Sequence, residues 1–306
     1  MLYPDATGVF APAALGGGHP IGLVQNSNEE YHSSPGISKS HLDYILDRSP
    51  AHYWQKYLNP EREPDEPTPA LILGSAIHSA ILEPDDFRAS YIASPGFDRR
   101  TKNGKAEYEA FVAEHAGKVV LSEDDFNRCI KIRDRIHTHP EVADLFQGGQ
   151  AEVSFYAEDR GDDVIDAETG ELLLVEQPEL IKCRFDYLHD SGELAVDLKS
   201  TDDASPAGFG KSIANYRYMM QPPWYYRVLK TLYGEHPKTW VFVAVEKEPP
   251  FAVSYCFATP EQIERGRIAA LNAYATIVKY KRAGQFPDYA SLNGLKAAQL
   301  PAWAKF

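Results

Sequence analysis

The sequence predicts an α/β fold in which a mixed sheet is flanked by helices and preceded by a helical subdomain. Residues 38–140 carry their apolar side chains at helical spacing, whereas strand-like alternation dominates residues 152–199. Two further strand-like runs, 240–245 and 252–257, lead into a long helix that ends before Gly284. Elements in this order bury a shared core when helices cover both faces of a sheet.

Composition divides the chain into an arm and one domain. Residues 1–35 are rich in Gly, Pro, Ala and Ser, which predicts a flexible N-terminal arm. Residues 36–145 are expected to form the helical part of a single domain, 36–306, and residues 146–306 its sheet-containing core with the C-terminal helix. A chain of 306 residues that is 43% hydrophobic and 25% charged can build such a core.

Several classes of protein are disfavoured by composition. The three cysteines are scattered without C-x-x-C spacing, so neither a disulfide framework nor a zinc site is expected. The chain has no G-x-x-x-x-G-K-[ST] phosphate loop. No apolar run approaches the ~20 residues of a membrane span, and the N-terminus does not resemble a secretory leader. We therefore expect a cytoplasmic protein that does not contact membranes.

The most informative segment is a predicted β-hairpin at residues 180–199 with a turn at 189–192. The first strand alternates between apolar and polar residues and carries Asp186 on its polar face. The second strand carries Asp197 and Lys199 on the face opposite its apolar residues. This alternation is typical of half-buried strands whose polar faces point away from the core.

The register of this hairpin decides how close the two acids come. If the turn pairs Leu188 with Glu193, Asp186 lies opposite Ala195. Asp197 is then the diagonal neighbour of Asp186 on the same face, roughly 7–8 Å away at the backbone. Both carboxylates can converge on one cation in that arrangement.

Two carboxylates and a lysine on one face predict a site for metal-dependent phosphodiester cleavage. Carboxylate oxygens suit Mg²⁺, whose coordination is usually completed by water and substrate phosphates, and such an ion activates water and neutralises phosphate charge. Lys199 can position that water or stabilise charge in the transition state. The competing explanation is an ordinary exposed strand face with a chance D-x-K spacing.

Six short motifs occur in order along the chain. They are I-S-K-S-H-L-D at 37–43 with S-P-A-H-Y-W at 49–54, G-S-A-I-H at 74–78 with L-E-P at 82–84, R-T-K-N-G-K at 100–105, A-E-V-S-F at 151–155, the F-D and V-D-L-K-S-T segments of the hairpin, and Q-x-x-x-Y at 221–225. Between about residues 37 and 284, these motifs resemble the PD-(D/E)xK nuclease superfamily, and within it the RecE-type (exonuclease VIII) branch related to YqaJ-like phage exonucleases. Phe185 stands where the superfamily's name has proline, which leaves the carboxylate chemistry of Asp186 unchanged.

The resemblance implies a restriction-endonuclease-like core and a role for each acid. Asp186 and Asp197 would be metal ligands, and Lys199 would be the catalytic lysine. His78 would be an upstream ligand to a second metal, and Glu152 would complete or orient that cluster. Two plainer explanations remain open, in which His78 is a packed helix histidine and Glu152 is a surface acid at a strand edge.

Gln221 and Tyr225 have the family's Q-x-x-x-Y spacing, and the resemblance places both in the catalytic site. Pro222 and Pro223 follow Gln221 directly. If Gln221 starts a helix, prolines in the first turn are tolerated, and the two side chains lie one turn apart where they could touch one substrate strand. If the prolines break the helix, the pair is merely structural.

The net charge of −13 requires that any DNA contact use localised positive charge, because affinity for phosphates comes from lysine and arginine. Arg99, Arg100, Lys102 and Lys105 form one such cluster, around a glycine that suits a loop close to phosphate. A solvated charged loop is the other explanation. The resemblance adds Lys39 to the DNA-binding residues.

Aromatic side chains cluster in the sequence near Gln221. The cluster consists of Tyr216, Tyr218, Trp224, Tyr225 and Tyr226. Helix packing is the plainer explanation for these residues, while one or two of them could stack on a splayed base or sugar.

The resemblance implies a Mg²⁺-dependent double-stranded DNA exonuclease, with Mn²⁺ as the other candidate ion and two ions per site. Such an enzyme would digest DNA ends in the 5′-to-3′ direction, leave a 3′ single strand, and pass that strand to a phage-type (RecT-like) annealing protein for recombination. It would assemble as a homo-oligomer, a ring-shaped trimer or tetramer, in a bacterial or phage-infected cell. The alternatives are a structure-specific endonuclease or single-strand exonuclease of the same superfamily, and a catalytically idle DNA-binding protein.

Overall fold

A computed structural model describes residues 14–16, 19–63, 65–165, 170–172 and 177–293. The strands are β1 (Ala14–Gly16), β2 (His19–Val24), β3 (Tyr91–Ser94), β4 (Val119–Ser122), β5 (Gly149–Asp159), β6 (Glu179–His189), β7 (Leu194–Thr201), β8 (Thr239–Glu246) and β9 (Val253–Phe257). Seven of them form one mixed sheet in the order β1-β2-β5-β6-β7-β8-β9, in which the β7–β8 pair is parallel and the other neighbours are antiparallel. β3 and β4 form a separate parallel ribbon.

The described helices cover both faces of this sheet. They are α1 (Asn28–Ser33), α2 (Lys39–Asp47), α3 (Pro50–Tyr57), α4 (Pro69–Leu82), α5 (Pro84–Ser90), α6 (Lys102–Glu114), α7 (Glu123–His137), α8 (Pro206–Asn215), α9 (Gln221–Tyr233), α10 (Pro260–Ala283) and α11 (Tyr289–Asn293), with 3₁₀ turns at Ala143–Phe146 and Tyr218–Met220. The predicted α/β fold is confirmed, except that the β3–β4 ribbon within the helical region was not anticipated. Within the described residues, no helix is both long enough and apolar enough to cross a bilayer.

Local sequence signals explain where the longest helix begins and ends. The Thr259 hydroxyl accepts from the Gln262 backbone, and the Gln262 side chain accepts from the Thr259 backbone, which forms a capping box. Pro260 occupies the first turn, where its missing N–H costs nothing. Gly284 ends α10 in the left-handed conformation at a φ of 60°, which glycine adopts without steric cost. The predicted end before Gly284 is therefore confirmed.

The expectation of a flexible arm is wrong for residues 19–35. β2 pairs with β5 in the main sheet, and α1 begins with a capping box between Ser27 and Glu30. The glycine content suggested an arm, but Gly22 is part of β2 and has a φ of 101°, a conformation that glycine adopts readily. Residues 1–13, 17–18 and 294–306 lie outside the described residues.

Two apolar cores lie on opposite faces of the sheet. One packs α2, α9 and α10 against residues such as Phe185 and Phe242, and the other packs α4 and α7 against residues such as Val196 and Val243. The expectation that the polar faces of β6 and β7 point to solvent is wrong, because the helices cover both sides. Asp197, for example, is only 1% exposed.

The apolar residues of β5 and β6 change faces midway along the strands. Ala151 pairs with Tyr187 and both pack in the α4–α7 core, whereas Val153 pairs with Phe185 and both pack in the α9–α10 core. Residues two apart on a regular strand share a face, so the alternation is interrupted between these pairs. The residue at the interruption in β5 is Glu152, whose φ is 51°.

The β6–β7 register differs from the prediction by two residues. Leu188 pairs with Ala195 instead of Glu193, because the carbonyl of Glu193 instead accepts from the backbone N–H groups at the start of β8, at 2.9 and 3.0 Å. A shift of two residues preserves the faces of a strand. Asp186 and Asp197 follow the last pair, Tyr187 with Val196, as the next residues on their strands.

Candidate metal and catalytic site

The site forms at a fork between two central strands. The paired residues of β6 and β7 end at Tyr187 and Val196. One residue further, the Asp186 carboxylate accepts a hydrogen bond from the Leu198 backbone N–H at 2.8 Å. The Asp186 carboxylate thus replaces the backbone acceptor that a continued β6–β7 ladder would supply to Leu198. The two strands separate here, and polar side chains lie in the gap.

Asp197 and Lys199 form a buried ion pair on β7. Lys199 Nζ lies 2.5 Å from Asp197 Oδ2 and 3.9 Å from Asp186 Oδ2. Burial opposes the charged form of the lysine, but the two carboxylates hold the pKa of Lys199 above its ordinary value. Burial raises the pKa of both Asp186 and Asp197, and the Lys199 ammonium works against that rise. Lys199 is therefore a fixed positive charge that contacts both acids.

His78 reaches the same place from α4. The apolar side chains of that helix, including Ile77 and Ile81, are buried in the α4–α7 core, while His78 Nδ1 lies 3.9 Å from Asp186 Oδ2. Burial and the nearby Lys199 charge lower the pKa of His78 to about 4. A neutral imidazole has a free lone pair, so its state suits metal ligation.

Glu152 lies in the sheet interior and is not a surface acid. Its side chain is 13% exposed, and its Oε2 accepts from Arg184 Nε at 2.6 Å. Burial and the Asp186 charge raise the pKa of Glu152, while Arg184 opposes the rise. A left-handed backbone at a non-glycine residue costs of order 1–3 kcal/mol and persists where the surroundings fix it. Here the strain accompanies the placement of the carboxylate.

His78, Glu152 and Asp186 form a three-residue cluster that fits a divalent cation. One ligand atom of each lies within 4.8 Å of the others. Carboxylate oxygens suit Mg²⁺ and Mn²⁺, and a neutral imidazole adds a nitrogen donor. The buried carboxylate of Asp197 and the partly buried carboxylates of Glu152 and Asp186 face only the cations of Arg184 and Lys199 in the contacts described above, so a divalent cation would offset unbalanced negative charge.

Asp197 is not a member of that three-residue cluster. Its Oδ2 contacts Lys199, and its Oδ1 accepts a hydrogen bond from Gln221 Nε2. The sequence predicts Asp197 as a metal ligand, and the structure places it next to the cluster, joined to Asp186 through Lys199.

The two prolines do not break the helix that carries Gln221 and Tyr225. α9 begins at Gln221, with Pro222 and Pro223 in its first turn. Besides its contact with Asp197, Gln221 Nε2 donates to Tyr225 Oη at 3.3 Å. The two side chains are 7% and 8% exposed. Gln221 therefore contacts Asp197 directly and Tyr225 contacts Gln221, and both side chains are largely buried.

The predicted basic cluster belongs to α6 and the loop before it. Arg99 lies over the Tyr108 ring at 4.2 Å, Arg100 pairs with Asp98 at 3.0 Å, and Lys102 and Lys105 are exposed on the first turn of the helix. None of these residues lies on an element that carries one of the site acids.

The glycine within this cluster has an intramolecular explanation. Gly104 is buried in α6, where a Cβ would lie 2.2 Å from the Asp98 carbonyl oxygen. The expectation that this glycine lies in a loop is therefore wrong, because Gly104 is part of α6 and allows the helix to pack closely on the loop before it.

Lys39 lies near Lys199 and is engaged within the protein. Its Nζ donates to the Tyr216 carbonyl at 2.8 Å and pairs with Asp43 at 2.6 Å. It also lies 5.7 Å from the centroid of the Tyr218 ring, which Lys199 approaches to 5.1 Å. Lys39 thus lies beside the site, and its charge is already paired with Asp43. Its role in DNA binding stays a prediction.

Sequence reasoning missed Arg184 as a part of the site. The residue was assigned to an exposed polar face, yet it is 7% exposed, and its guanidinium contacts Glu152, Asn26 and Ser154. The available signal was its position on the same strand face as Asp186. A cavity of about 860 Å³ lies elsewhere, between the end of β5 and helices α9 and α10, and its lining includes the Arg227–Asp159 ion pair but no residue of the acidic site.

An α/β sheet whose central strands present D…D-x-K at a fork, with a histidine and a glutamate beside them, defines the PD-(D/E)xK class of nuclease folds. The chain belongs to the family described as a PDDEXK-like domain of unknown function (DUF3799), which matches residues 38–164 and 169–294. The predicted superfamily is thereby confirmed.

Comparison with solved structures agrees with this fold. A crystal structure named "Putative exonuclease" from Eubacterium rectale is 15% identical, with a TM-score of 0.56, and the match covers 91% of this chain and 97% of that one. The crystal structure of SSO0001 is 13% identical over 61% of this chain and 76% of that one, with a TM-score of 0.28. No curated protein matches the chain.

Proposed function

We propose that this protein is a Mg²⁺-dependent double-stranded DNA exonuclease. The observation that carries the proposal is the position of Asp186, which lies 3.9 Å from His78 on one side and 3.9 Å from Lys199 on the other. A cluster suited to a divalent cation and a fixed ammonium therefore meet at one carboxylate. Such an arrangement suits metal-dependent hydrolysis of a phosphodiester.

The cluster of His78, Glu152 and Asp186 would hold one ion, and Asp197 with Asp186 would supply oxygens for a second. Divalent cations at such a site activate water and neutralise the charge that develops on the phosphate. Mn²⁺ is the other candidate, because the histidine nitrogen is a softer donor than carboxylate oxygen.

Lys199 supplies what the acids cannot. Its ammonium is fixed by Asp197 at 2.5 Å and keeps its proton at neutral pH. A positive charge held in this way can orient the attacking water or stabilise charge on the phosphate without reorganisation during the reaction. Gln221, which donates to Asp197, keeps that carboxylate in place.

The finer assignments rest on the motif resemblance to RecE-type nucleases, and the name of the Eubacterium rectale neighbour also points to exonuclease activity. These finer assignments are digestion from 5′ ends, a 3′ single-stranded product, transfer of that product to a RecT-like annealing protein, and assembly as a ring-shaped trimer or tetramer. Arg99, Arg100, Lys102 and Lys105 would contact the DNA backbone, since three of the four have no acidic partner among the described ion pairs and all lie at the surface.

The test uses linear duplex DNA labelled at one 5′ or one 3′ end, beside a covalently closed circle. Each substrate is incubated with wild-type protein and with Asp197→Ala, in Mg²⁺, Mn²⁺ or EDTA. The proposal predicts metal-dependent release of 5′ nucleotides from the linear DNA alone, and no release by the variant.

Other outcomes would identify the alternatives. Cleavage of the circle would indicate an endonuclease, and digestion of denatured DNA alone would indicate a single-strand exonuclease. Binding without cleavage under every metal condition would indicate an idle DNA-binding protein.

A further inference from the structure

Two tyrosines form a stack beside the catalytic lysine. The Tyr218 ring lies 5.1 Å from Lys199 Nζ, and the Tyr216 ring stacks on it with a centroid distance of 5.6 Å and an interplanar angle of 23°. Tyr218 is half-buried and also stacks on Phe242, whereas Tyr216 is 61% exposed. This tyrosine stack, Tyr216 with Tyr218, leads from the sheet past the catalytic lysine to solvent.

The backbone between the two rings is strained. Arg217 separates them and adopts the left-handed conformation, with φ of 50° and ψ of 40°, which is unfavourable for a residue that has a Cβ. Arg217 Nη2 donates to Asp47 at 2.6 Å, and Lys39 Nζ donates to the Tyr216 carbonyl at 2.8 Å. Two contacts thus hold a conformation that brings side chains at positions i and i+2 into parallel planes. Arg217 directly follows Tyr216, the C-cap residue of α8, at a position where a left-handed residue commonly ends a helix, so the end of α8 sets the geometry of the two rings.

Tyr216 is not packed in the core as the other aromatic residues near Gln221 are. Trp224, Tyr225 and Tyr226 of the same aromatic cluster are 1%, 8% and 7% exposed and belong to the α9–α10 core. Tyr216 instead presents most of its surface to solvent, next to a half-buried ring. A large exposed aromatic surface beside a reactive site suits a flat, apolar ligand group.

The chemistry around the stack favours a nucleotide. Every nucleobase offers a π face to an aromatic ring, so such stacking tolerates any sequence. The ammonium groups of Lys39 and Lys199 lie 5.7 and 5.1 Å from the Tyr218 centroid. Each is paired with an aspartate, and the phosphates of a stacked nucleotide would meet positive charge at these two groups.

We propose that Tyr216 is a stacking subsite for a base at a DNA end, adjacent to the phosphodiester bond that is cleaved. The inference rests on the proposed nuclease function and deepens it. A base in the interior of a duplex has both faces covered by its neighbours, so Tyr216 can receive only a base at a DNA end, either on the open face of the terminal pair or after the base has left the stack. The substrate class is therefore a DNA end, where fraying or a single-stranded terminus makes the base accessible.

The experiment measures stacking and affinity separately from cleavage. Duplex DNA with 2-aminopurine at its terminal positions is titrated with protein, in Ca²⁺ and in parallel in EDTA, while fluorescence and anisotropy are recorded. The variants are Tyr216→Ala, Tyr216→Phe and, as a matched control, Tyr255→Ala, which removes a tyrosine that is 47% exposed on the edge strand β9. Melting temperatures check that each variant is folded.

The proposal predicts that wild type, Tyr216→Phe and Tyr255→Ala bind alike and keep the unstacked 2-aminopurine quenched, because the base stacks on an aromatic ring in place of its neighbours. Tyr216→Ala should bind about tenfold more weakly and lose the quenching. Equal affinity and quenching for Tyr216→Ala would overturn the stacking subsite. Equal losses in Tyr216→Ala and Tyr216→Phe would also overturn it, because a hydroxyl contact would then be responsible.

Failure of the subsite is distinguishable from failure of the proposed function. If wild type cleaves DNA in Mg²⁺ but Tyr216→Ala behaves like wild type, only the subsite is wrong. If wild type neither binds nor cleaves DNA, the nuclease proposal and the subsite that rests on it both fail.

Discussion

The guanidinium of Arg184 fixes the carboxylate of Glu152, with 2.6 Å between Arg184 Nε and Glu152 Oε2. Arg184 Nη1 donates in turn to the backbone and side-chain oxygens of Asn26 at 2.8 and 3.1 Å, and to Ser154 Oγ at 2.9 Å. The segment between β2 and α1 therefore holds the arginine that orients one candidate metal ligand. A part of the chain that composition assigns to a flexible arm contributes to the site.

We predict that Arg184→Lys raises the Mg²⁺ concentration needed for nuclease activity by about tenfold or more, because residues that orient metal ligands typically contribute 10–100-fold to affinity. Lysine keeps the positive charge but cannot reproduce the set of contacts to Glu152, Asn26 and Ser154. The measurement is a Mg²⁺ titration of the initial cleavage rate.

Arg227→Lys is the matched control for that experiment. Arg227 makes a bidentate contact with Asp159, at 2.9 and 3.0 Å, at the far end of β5. Both variants should be less stable in urea than the wild type. Arg227→Lys should leave the Mg²⁺ requirement unchanged. If both variants shifted the requirement equally, the specific role of Arg184 would be wrong.

Lys199→Ala should lower kcat by about 100-fold or more, because the variant loses a charge that is fixed beside the acids. It also leaves Asp197 without its cation, so a lower melting temperature is expected. Single-turnover cleavage and thermal melting measure the two effects. Lys247→Ala, which removes an ion pair to Asp202, should leave kcat unchanged, and a wild-type rate for Lys199→Ala would rule out the assigned role.

Gln221→Met should lower the cleavage rate by about tenfold, because the Asp197 carboxylate loses a donor that keeps it in place. Tyr225→Phe should have a much smaller effect, since the contact between the Tyr225 hydroxyl and Gln221 is long, at 3.3 Å. Cleavage rates of the two variants, measured side by side, test this order of importance. A larger loss in Tyr225→Phe than in Gln221→Met would contradict this order of importance.

Stability at acidic pH should depend on His41. The Ser38 backbone N–H donates to His41 Nδ1 at 3.2 Å, and the ring stacks on Tyr57. Burial and nearby positive charges lower the pKa of His41 from 6.5 to about 3. Between these values the unfolded chain binds the proton and the folded chain does not. The stability that His41 contributes is therefore complete above about pH 6.5 and is lost as the pH falls towards 3.

His41→Gln should reduce this pH dependence. Glutamine is an ordinary capping-box residue that accepts from the same N–H group but does not titrate. The free energy of unfolding, measured by urea titration between neutral and acidic pH, should change less steeply than in wild type, by up to about 1.4 kcal/mol per pH unit. Identical slopes would show that His41 does not carry the effect.

Two helical glycines should respond to alanine in opposite directions. A Cβ at Gly74 in α4 meets nothing within 4 Å, whereas a Cβ at Gly266 in α10 would lie 1.7 Å from the Met219 carbonyl oxygen. Gly74→Ala should stabilise the protein by about 0.5–1 kcal/mol through helix propensity. Gly266→Ala should destabilise it, because α10 must move away from the 3₁₀ turn. Thermal melting of both variants tests the pair, and destabilisation by Gly74→Ala would show that the open space is needed.

The sequence by itself determined the elements and the chemistry that depend on local patterns. Alternation defined β6 and β7, caps and Gly284 defined the ends of α10, and prolines after Gln221 were compatible with a helix start. The D…D-x-K spacing with its accompanying motifs identified the superfamily. These features are legible because backbone geometry repeats at short range and each residue type carries its own chemistry.

Only the tertiary structure decided how these residues meet. The hydrogen bonds between the Glu193 carbonyl and the start of β8 set the register of the hairpin. The left-handed backbone at Glu152 lies where the side chains of β5 switch from one face of the sheet to the other. β2 and α1, read as an arm, cover the buried polar face and hold Arg184. His78 reaches Asp186 from one side of the sheet, and Gln221 reaches Asp197 from the other. Such contacts join residues far apart in the chain, and they form because buried polar groups must find partners wherever the fold places them.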